Sequence, residues 1–147
     1  MVSGAGRGDA EREVETLVHS VFEAGKNKDL ASLAGFYAPS DLFTKFDDAP
    51  PYTRQNAQDA FMYEQALFSN VSDYDYTLEE LRVDLVGEKA AVATFYLTYK
   101  GVFVNDYSFE GRIVSSRSRA TMVVARFEMG WKVVHEHFSC FPDLHTR

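Results

Sequence analysis

The stretch "RATMVVARFEMGWKVVHEHFS", residues 119–139 of this 147-residue chain, is the part of the sequence that determines the expected fold. Two runs rich in β-branched residues flank the short segment "EMG", and this pattern is typical of a β-hairpin. We expect "EMG" to form a three-residue turn in which Gly130 takes a positive φ, so that Phe127 lies opposite Trp131. Because side chains alternate between the two faces of a strand, this register assigns every residue of the hairpin to a face.

One face of the predicted hairpin carries polar side chains, together with Trp131 and Val133. The polar set, called the polar ladder below, consists of Arg119, Thr121, His135, His137 and Ser139. Two histidines at positions i and i+2 of a strand are compatible with imidazole metal ligands, but two alone make an incomplete site. We therefore interpret the ladder as a structural feature that faces a partner subunit, and we expect no metal.

The opposite face is apolar around one carboxyl group. Its expected cross-strand pairs are Met122 with Glu136, Val124 with Val134, and Ala120 with Phe138. A glutamate among apolar side chains loses hydration, which raises its pKa and suits a general acid or base near neutral pH. The alternative is that Glu136 is paired with a lysine or arginine nearby.

Helical patterns precede these strands. Apolar residues recur at spacings of three and four over residues 14–22, which predicts an amphipathic helix beginning near Asp9. The Gly-rich residues 1–8 are expected to form a disordered tail. Asp29 is the expected N-cap of a second, short helix, and Thr53 that of a third helix over residues 54–69.

After Tyr74 the pattern changes to period two, with β-branched and aromatic residues in four long segments. Helices first and strands second, without β-α-β alternation, indicate an α+β fold in which the helices pack on one face of a curved antiparallel sheet. We expect a single domain over residues 9–147.

Composition and charge exclude several functions. The net charge of −7 disfavours a nucleic-acid partner, which would require a basic surface. Cys140 is the only cysteine, so neither an internal disulfide nor a zinc site made of cysteines alone can form. With no signal-peptide pattern and no apolar run of membrane-spanning length, we expect a cytoplasmic protein without a membrane partner. The aromatic share of 14% indicates a large apolar interior or a ring-lined pocket.

The order Arg-x-Thr, Gly-Trp and His-x-His-x-Ser within residues 119–139 resembles the end of SnoaL-like domains. These belong to the nuclear transport factor 2-like superfamily, which includes ketosteroid isomerases, and the association (hub) domain of calcium/calmodulin-dependent kinase has a similar ending. The resemblance extends over about residues 9–141. It implies a cone-shaped fold, a pocket between sheet and helices, and a homodimer through the outer face of the sheet.

This chain departs from those relatives at their functional residues. The pocket arginines of the kinase hub domain are replaced here by Met122 and Phe138, and the paired acids of the steroid isomerases have no clear counterpart. Their chemistry is therefore not carried over.

The resemblance places the Glu136 face of the hairpin in the pocket. The side chains expected to line it are Met122, Val124, Val134, Phe138, Tyr37 and Tyr63. Asp47, in the loop before the third helix, is a second catalytic candidate beside Glu136, because the resemblance implies that this loop brings polar groups to the mouth of the pocket. The alternative is that Asp47 is an ordinary solvated carboxylate of a loop.

These features predict a homodimeric SnoaL-like domain that binds a small, mainly apolar ligand. An enzyme of this kind would be a cofactor-free isomerase, cyclase or dehydratase that uses acid/base chemistry. The alternative is an oligomerisation or carrier module without turnover, because this fold hosts both kinds of protein.

Overall fold

The fold was analysed in a computed structural model, which describes residues 4–104 and 111–141. In chain order its elements are α1 (Gly4–Lys26), α2 (Leu30–Gly35), a 3₁₀ helix (Ser40–Leu42), β1 (Thr44–Phe46), β2 (Gln55–Asn56), α3 (Ala57–Asn70), β3 (Val71–Leu85), β4 (Ala90–Val104), β5 (Gly111–Phe127) and β6 (Gly130–Cys140). The expected α+β class and the order of helices before long strands are confirmed.

The six strands form one curled, unclosed sheet in the order β2-β1-β6-β5-β4-β3. All neighbours are antiparallel except β1 and β6, which run parallel. This parallel pair was not predicted, and it matters for the site because it aligns Lys45 with Glu136.

The helix α1 packs on β3, β4 and β6. Its buried residues follow the predicted spacing: Val14, Leu17, Val18, Val21, Phe22 and Ala24. The helix begins at Gly4, within the segment expected to form a disordered tail, while residues 1–3 lie outside the described part. No helix among the described residues is both long and apolar enough to cross a membrane.

The caps of the other two helices were predicted with mixed success. The Asp29 carboxylate accepts a hydrogen bond of 3.2 Å from the Ser32 backbone N–H, as expected for the N-cap of α2. At α3 the cap is Asn56, whose side chain accepts from the Asp59 N–H at 2.8 Å, and not Thr53. The helix begins later than predicted because residues 55 and 56 first pair with β1.

The strand β3 bends at two β-bulges. The register of β3 against β4 shifts between Ser72 and Asp75 and again between Glu79 and Arg82. Asp73 and Glu80, at these two places, have positive φ values of 53° and 55°. Because bulges increase local twist and bending, they help to curl the sheet around the helices.

The hairpin of β5 and β6 differs from its predicted register at the turn. Phe127 pairs with Gly130, so the turn contains two residues instead of three. A shift follows in which Val124 pairs with Val133, and Val134 is the extra residue of a bulge.

Beyond this bulge, the pairs of Met122 with Glu136 and of Val123 with His135 are those predicted. The predicted pairing is wrong only between the turn and the bulge at Val134. Trp131 and Val133 are buried and not on the face of the polar ladder.

Candidate functional site

A cavity of about 110 Å³ lies between the helices and the inner face of the sheet. Aromatic rings on its wall belong to Phe22, Phe68, Tyr74, Tyr99 and Phe138. Besides Tyr74 and Tyr99, its ionisable side chains are Tyr37, Lys45, Asp47, Asp48, Glu64 and Glu136. The cavity therefore combines an apolar surface with a compact set of groups that can exchange protons.

Glu136 projects from β6 into this cavity and is only 1% exposed. Its Oε1 atom has no hydrogen-bond partner among the described residues. Burial raises the pKa of Glu136 to about 7; the charge of Lys45 opposes this shift and that of Glu64 adds to it. The carboxyl group is thus poised to gain or lose a proton near neutral pH.

Lys45 supplies the positive charge of the cavity. Its ammonium lies 3.5 Å from Glu64 and 3.6 Å from Asp47, and 5.3 Å from the centroid of the Phe138 ring. Burial alone would lower the pKa of Lys45, but the carboxylates of Glu136, Glu64 and Asp47 together raise it. Lys45 therefore stays charged at neutral pH.

Sequence reasoning missed Lys45, although a weak signal exists in the segment "TKF". If Thr44 and Phe46 lie on the outer face, alternation places Lys45 on the inner one. A lysine is nevertheless almost always exposed, so this reading required knowledge of the partner strand.

Glu64 and Tyr37 form the wall opposite the sheet. The Tyr37 hydroxyl donates to Glu64 Oε1 at 3.3 Å. Burial raises the pKa of Glu64, with Lys45 opposing, and burial together with the charges of Glu136 and Glu64 raises the pKa of Tyr37. The sequence analysis also missed Glu64. It lies four residues from each of the buried residues Ala60 and Phe68, and this spacing on one face of the helix indicates that Glu64 faces the core.

The loop after β1 brings two aspartates, Asp47 and Asp48, to the cavity. The Asp47 carboxylate forms an ion pair with the Lys45 ammonium at the cavity. Asp48 accepts a hydrogen bond from the Ser118 hydroxyl. Burial nevertheless raises the pKa of Asp48, against the effect of that hydrogen bond.

The structure brings only some of the residues expected to line the pocket to the wall of this cavity. Tyr37 and Phe138 lie on the cavity wall with Glu136. Met122 and Val124 are fully buried in the core but do not line the cavity. Tyr63 is 48% exposed on α3, and Val134 is the bulged residue, so neither contributes to the wall.

The polar ladder lies on the outer face of the sheet. His135 Nδ1 and the Thr44 hydroxyl are 2.8 Å apart, and the Phe46 ring contacts both histidines at centroid distances of 5.8 and 5.3 Å. Burial, followed by the charge of His137, lowers the pKa of His135. In the part of the chain that the structure describes, no group of three or more His, Cys, Asp or Glu side chains is arranged to hold a metal ion.

Comparisons with known structures agree with this fold. A candidate dehydratase of the NTF2-like family from Streptomyces avermitilis is 19% identical, with a TM-score of 0.78 over 92% of this chain and 99% of that chain. An NTF2-like superfamily protein from Salmonella enterica is 17% identical, with a TM-score of 0.78 over 95% and 96% of the two chains. The association domain of CaMKII from C. elegans is 17% identical, with a TM-score of 0.68 over 87% and 93%. At these identities the similarity shows the fold alone.

Comparison of the sequence with protein families is more specific. No match was found among curated protein sequences. The model of the SnoaL-like domain family matches residues 14–143. This range covers α1 from Val14 onward, α2, α3 and all six strands of the sheet. The chain therefore belongs to the SnoaL-like domain family.

Proposed function

We propose that this SnoaL-like domain binds a small, mainly apolar molecule and catalyses cofactor-free acid/base chemistry on it, of the kind used in isomerisation, cyclisation or dehydration. The observation that carries the proposal is Glu136, which is 1% exposed and has an unpartnered oxygen on the wall of a ring-lined cavity. Its pKa of about 7 suits a group that takes and returns a proton at neutral pH.

The simplest reaction of this class moves a proton from the carbon next to a ketone. Glu136 Oε1 takes the proton, the electron pair of the broken C–H bond moves into the carbonyl group, and an enolate forms. The hydroxyl of Tyr37 turns from Glu64, to which it otherwise donates, and donates its hydrogen bond to the enolate oxygen, while the nearby ammonium of Lys45 stabilises the charge of that oxygen. Asp47 positions Lys45 through their ion pair. Return of the proton to the same carbon regenerates the ketone; in a β,γ-unsaturated ketone the electron pair also extends over the C=C bond, and return of the proton from Glu136 to the γ-carbon moves the double bond and completes an isomerisation.

Hydrogen exchange of simple ketones in D₂O, followed by proton NMR, tests this proposal. Cyclohexanone and acetophenone each carry one ring, in keeping with a cavity of about 110 Å³. We expect the protein to accelerate exchange of the α-hydrogens, and Glu136→Gln to slow it by about tenfold or more, because an amide cannot accept the proton.

The matched control is Glu88→Gln, at an exposed position in the loop between β3 and β4, which should keep the wild-type rate. Exchange that is no faster with the wild-type protein than without it would contradict the proposal. So would a Glu136→Gln variant that is as active as the wild type.

A second candidate function is an oligomerisation or carrier module without turnover. The outer face of the sheet favours it, because the polar ladder lies close to exposed apolar side chains there. Ile113 is 78% exposed and Phe141 37% exposed, and the Arg117 guanidinium lies 4.7 Å from the centroid of the Phe141 ring. Side chains of this kind are typical of protein interfaces.

Under either function we expect a homodimer that pairs through this outer face. Native mass spectrometry should detect a dimer of the wild-type chain, and Thr121→Arg should convert most of it to monomer, because the substitution places a bulky charge within the polar ladder. Thr16→Arg, on the exposed side of α1, is the matched control and should remain dimeric. A monomeric wild type would contradict the expected dimer, and a closed ring of many subunits would favour the module over the small enzyme.

A further inference from the structure

The cavity around Glu136 contains more negative than positive groups. Its carboxyl groups are those of Glu64, Glu136, Asp47 and Asp48, and its single ammonium is that of Lys45. Unbalanced charge in a low-dielectric interior is unfavourable, so the carboxyl groups must bind protons or a cation supplied from outside.

The partners within the protein leave one of these groups unsatisfied. Lys45 pairs with Glu64 and Asp47, and Asp48 accepts from the Ser118 hydroxyl. Only Glu136 retains a buried oxygen, Oε1, with no hydrogen-bond partner among the described residues. Since buried polar atoms are almost always paired, this oxygen marks the place where a ligand would donate a hydrogen bond.

The walls of the cavity are aromatic. The rings of Tyr74 and Tyr99 are stacked at a centroid distance of 6.1 Å, and the Phe68 ring meets that of Tyr74 edge-on at 5.3 Å. The rings of Phe22 and Phe138 also face the cavity. Faces of aromatic rings attract cations, and ring edges and faces together bury apolar groups.

From this combination we propose that the cavity binds a small ring-bearing amine as its ammonium ion, which donates an N–H to Glu136 Oε1 and packs its ring against the aromatic wall. The inference goes beyond the proposed function by naming a second class of ligand for the same cavity, one that occupies Glu136 Oε1 in place of a ketone, and it rests on that function only in requiring a ligand there. A volume of about 110 Å³ limits the ligand to about one ring, because a larger cavity of about 150 Å³ in another protein holds a single benzene molecule.

The charge of the cavity changes with pH around Glu136. The titratable groups that face it are Tyr37, Lys45, Asp47, Asp48, Glu64, Tyr74 and Tyr99. Across the range near pH 7 in which Glu136 releases its proton, Lys45 stays charged and the three tyrosines stay neutral, since the pKa of each is raised. Loss of the proton therefore makes the cavity more negative, and its affinity for an ammonium ion rises with pH.

Three probes of nearly equal size and different charge test the inference: benzylamine, benzyl alcohol and benzoate. Titration calorimetry with the full chain at about pH 6 and about pH 8.5 measures each affinity. At the higher pH we expect benzylamine to bind about tenfold or more tightly than benzyl alcohol, and benzoate to bind most weakly. The affinity for benzylamine should increase with pH, whereas that for benzyl alcohol should stay constant.

The variant Glu136→Gln should lose the preference for the amine while it still binds benzyl alcohol, which also shows that the variant is folded. Glu88→Gln should behave as the wild type. Equal affinities for amine and alcohol, or an amine preference that survives Glu136→Gln, would overturn the inference. Faster ketone exchange without amine binding would reject this inference and leave the proposed function standing. Amine binding without faster ketone exchange would support this inference and contradict the proposed function.

Discussion

Replacing Lys45 by methionine is expected to destabilise the folded protein by about 3–5 kcal/mol at neutral pH. Lys45 is 7% exposed, and its ammonium is the positive partner of Glu64 and Asp47. Methionine preserves much of the packing but leaves these carboxylates without a counter-charge, so the folded state must protonate them or keep them ionised in an apolar cavity. Domains are stable by only about 5–15 kcal/mol, so this loss is a large share of the total.

Urea unfolding at about pH 7.5, followed by circular dichroism, measures this loss. The matched control Lys89→Met, in the exposed loop after β3, should change stability by less than about 0.5 kcal/mol. Adding Glu64→Gln to Lys45→Met should recover part of the lost stability, because an amide needs no counter-charge. A Lys45→Met variant as stable as the control would show that the carboxylates do not depend on this lysine.

The long strands β4, β5 and β6 could be predicted because each has buried residues on one face. In β4 the buried residues alternate from Ala91 through Ala93, Phe95 and Leu97, and this period is readable without any partner strand. The same holds for α1, whose apolar stripe depends only on helical geometry. Local patterns were sufficient wherever local geometry decides which side chains are buried.

The hairpin of β5 and β6 shows where a local pattern fails. A turn one residue shorter than predicted should have exchanged the faces of β6, yet Glu136 still lies opposite Met122. The bulge at Val134 adds one residue to β6, which compensates for the shorter turn and returns the following residues to their predicted faces. Two adjacent valines hide this bulge in the sequence, because either valine fits either face. The predicted pairing of Glu136 with Met122 is therefore observed because the shorter turn and the bulge, neither of which was predicted, compensate for each other.

The partners of Glu136 could not be predicted for a different reason. Lys45 reaches the cavity through a parallel pair between strands about ninety residues apart, and short parallel pairs carry no turn signal. Glu64 comes from a helix whose angle to the sheet no periodicity defines. The sequence therefore led to two catalytic candidates, Glu136 and Asp47, but the charge balance that tunes the pKa of Glu136 depends on long-range packing.

This charge balance predicts how stability depends on pH. The pKa of Glu136 is raised from 4.5 to about 7 in the folded state. Below about pH 4.5 the carboxyl group is protonated in both states, and its contribution to stability is complete. As pH rises toward 7, the unfolded chain releases this proton first, so the free energy of unfolding falls, by about 3 kcal/mol in total.

Comparison with Glu136→Gln isolates this effect, because the variant keeps every other titrating group, including His135, whose lowered pKa acts in the opposite direction. Below about pH 4.5 the two proteins should be equally stable, since a protonated glutamate and a glutamine are alike in shape and charge. Above about pH 7.5 the variant should be the more stable by about 3 kcal/mol, because only the wild type must bury a carboxylate. A stability difference that stays constant from about pH 4 to about pH 8, measured by urea unfolding, would contradict the raised pKa. If the variant instead gains stability while it loses ketone exchange, the wild-type chain retains a costly buried acid at this position, which is the expected sign of a residue kept for chemistry instead of packing.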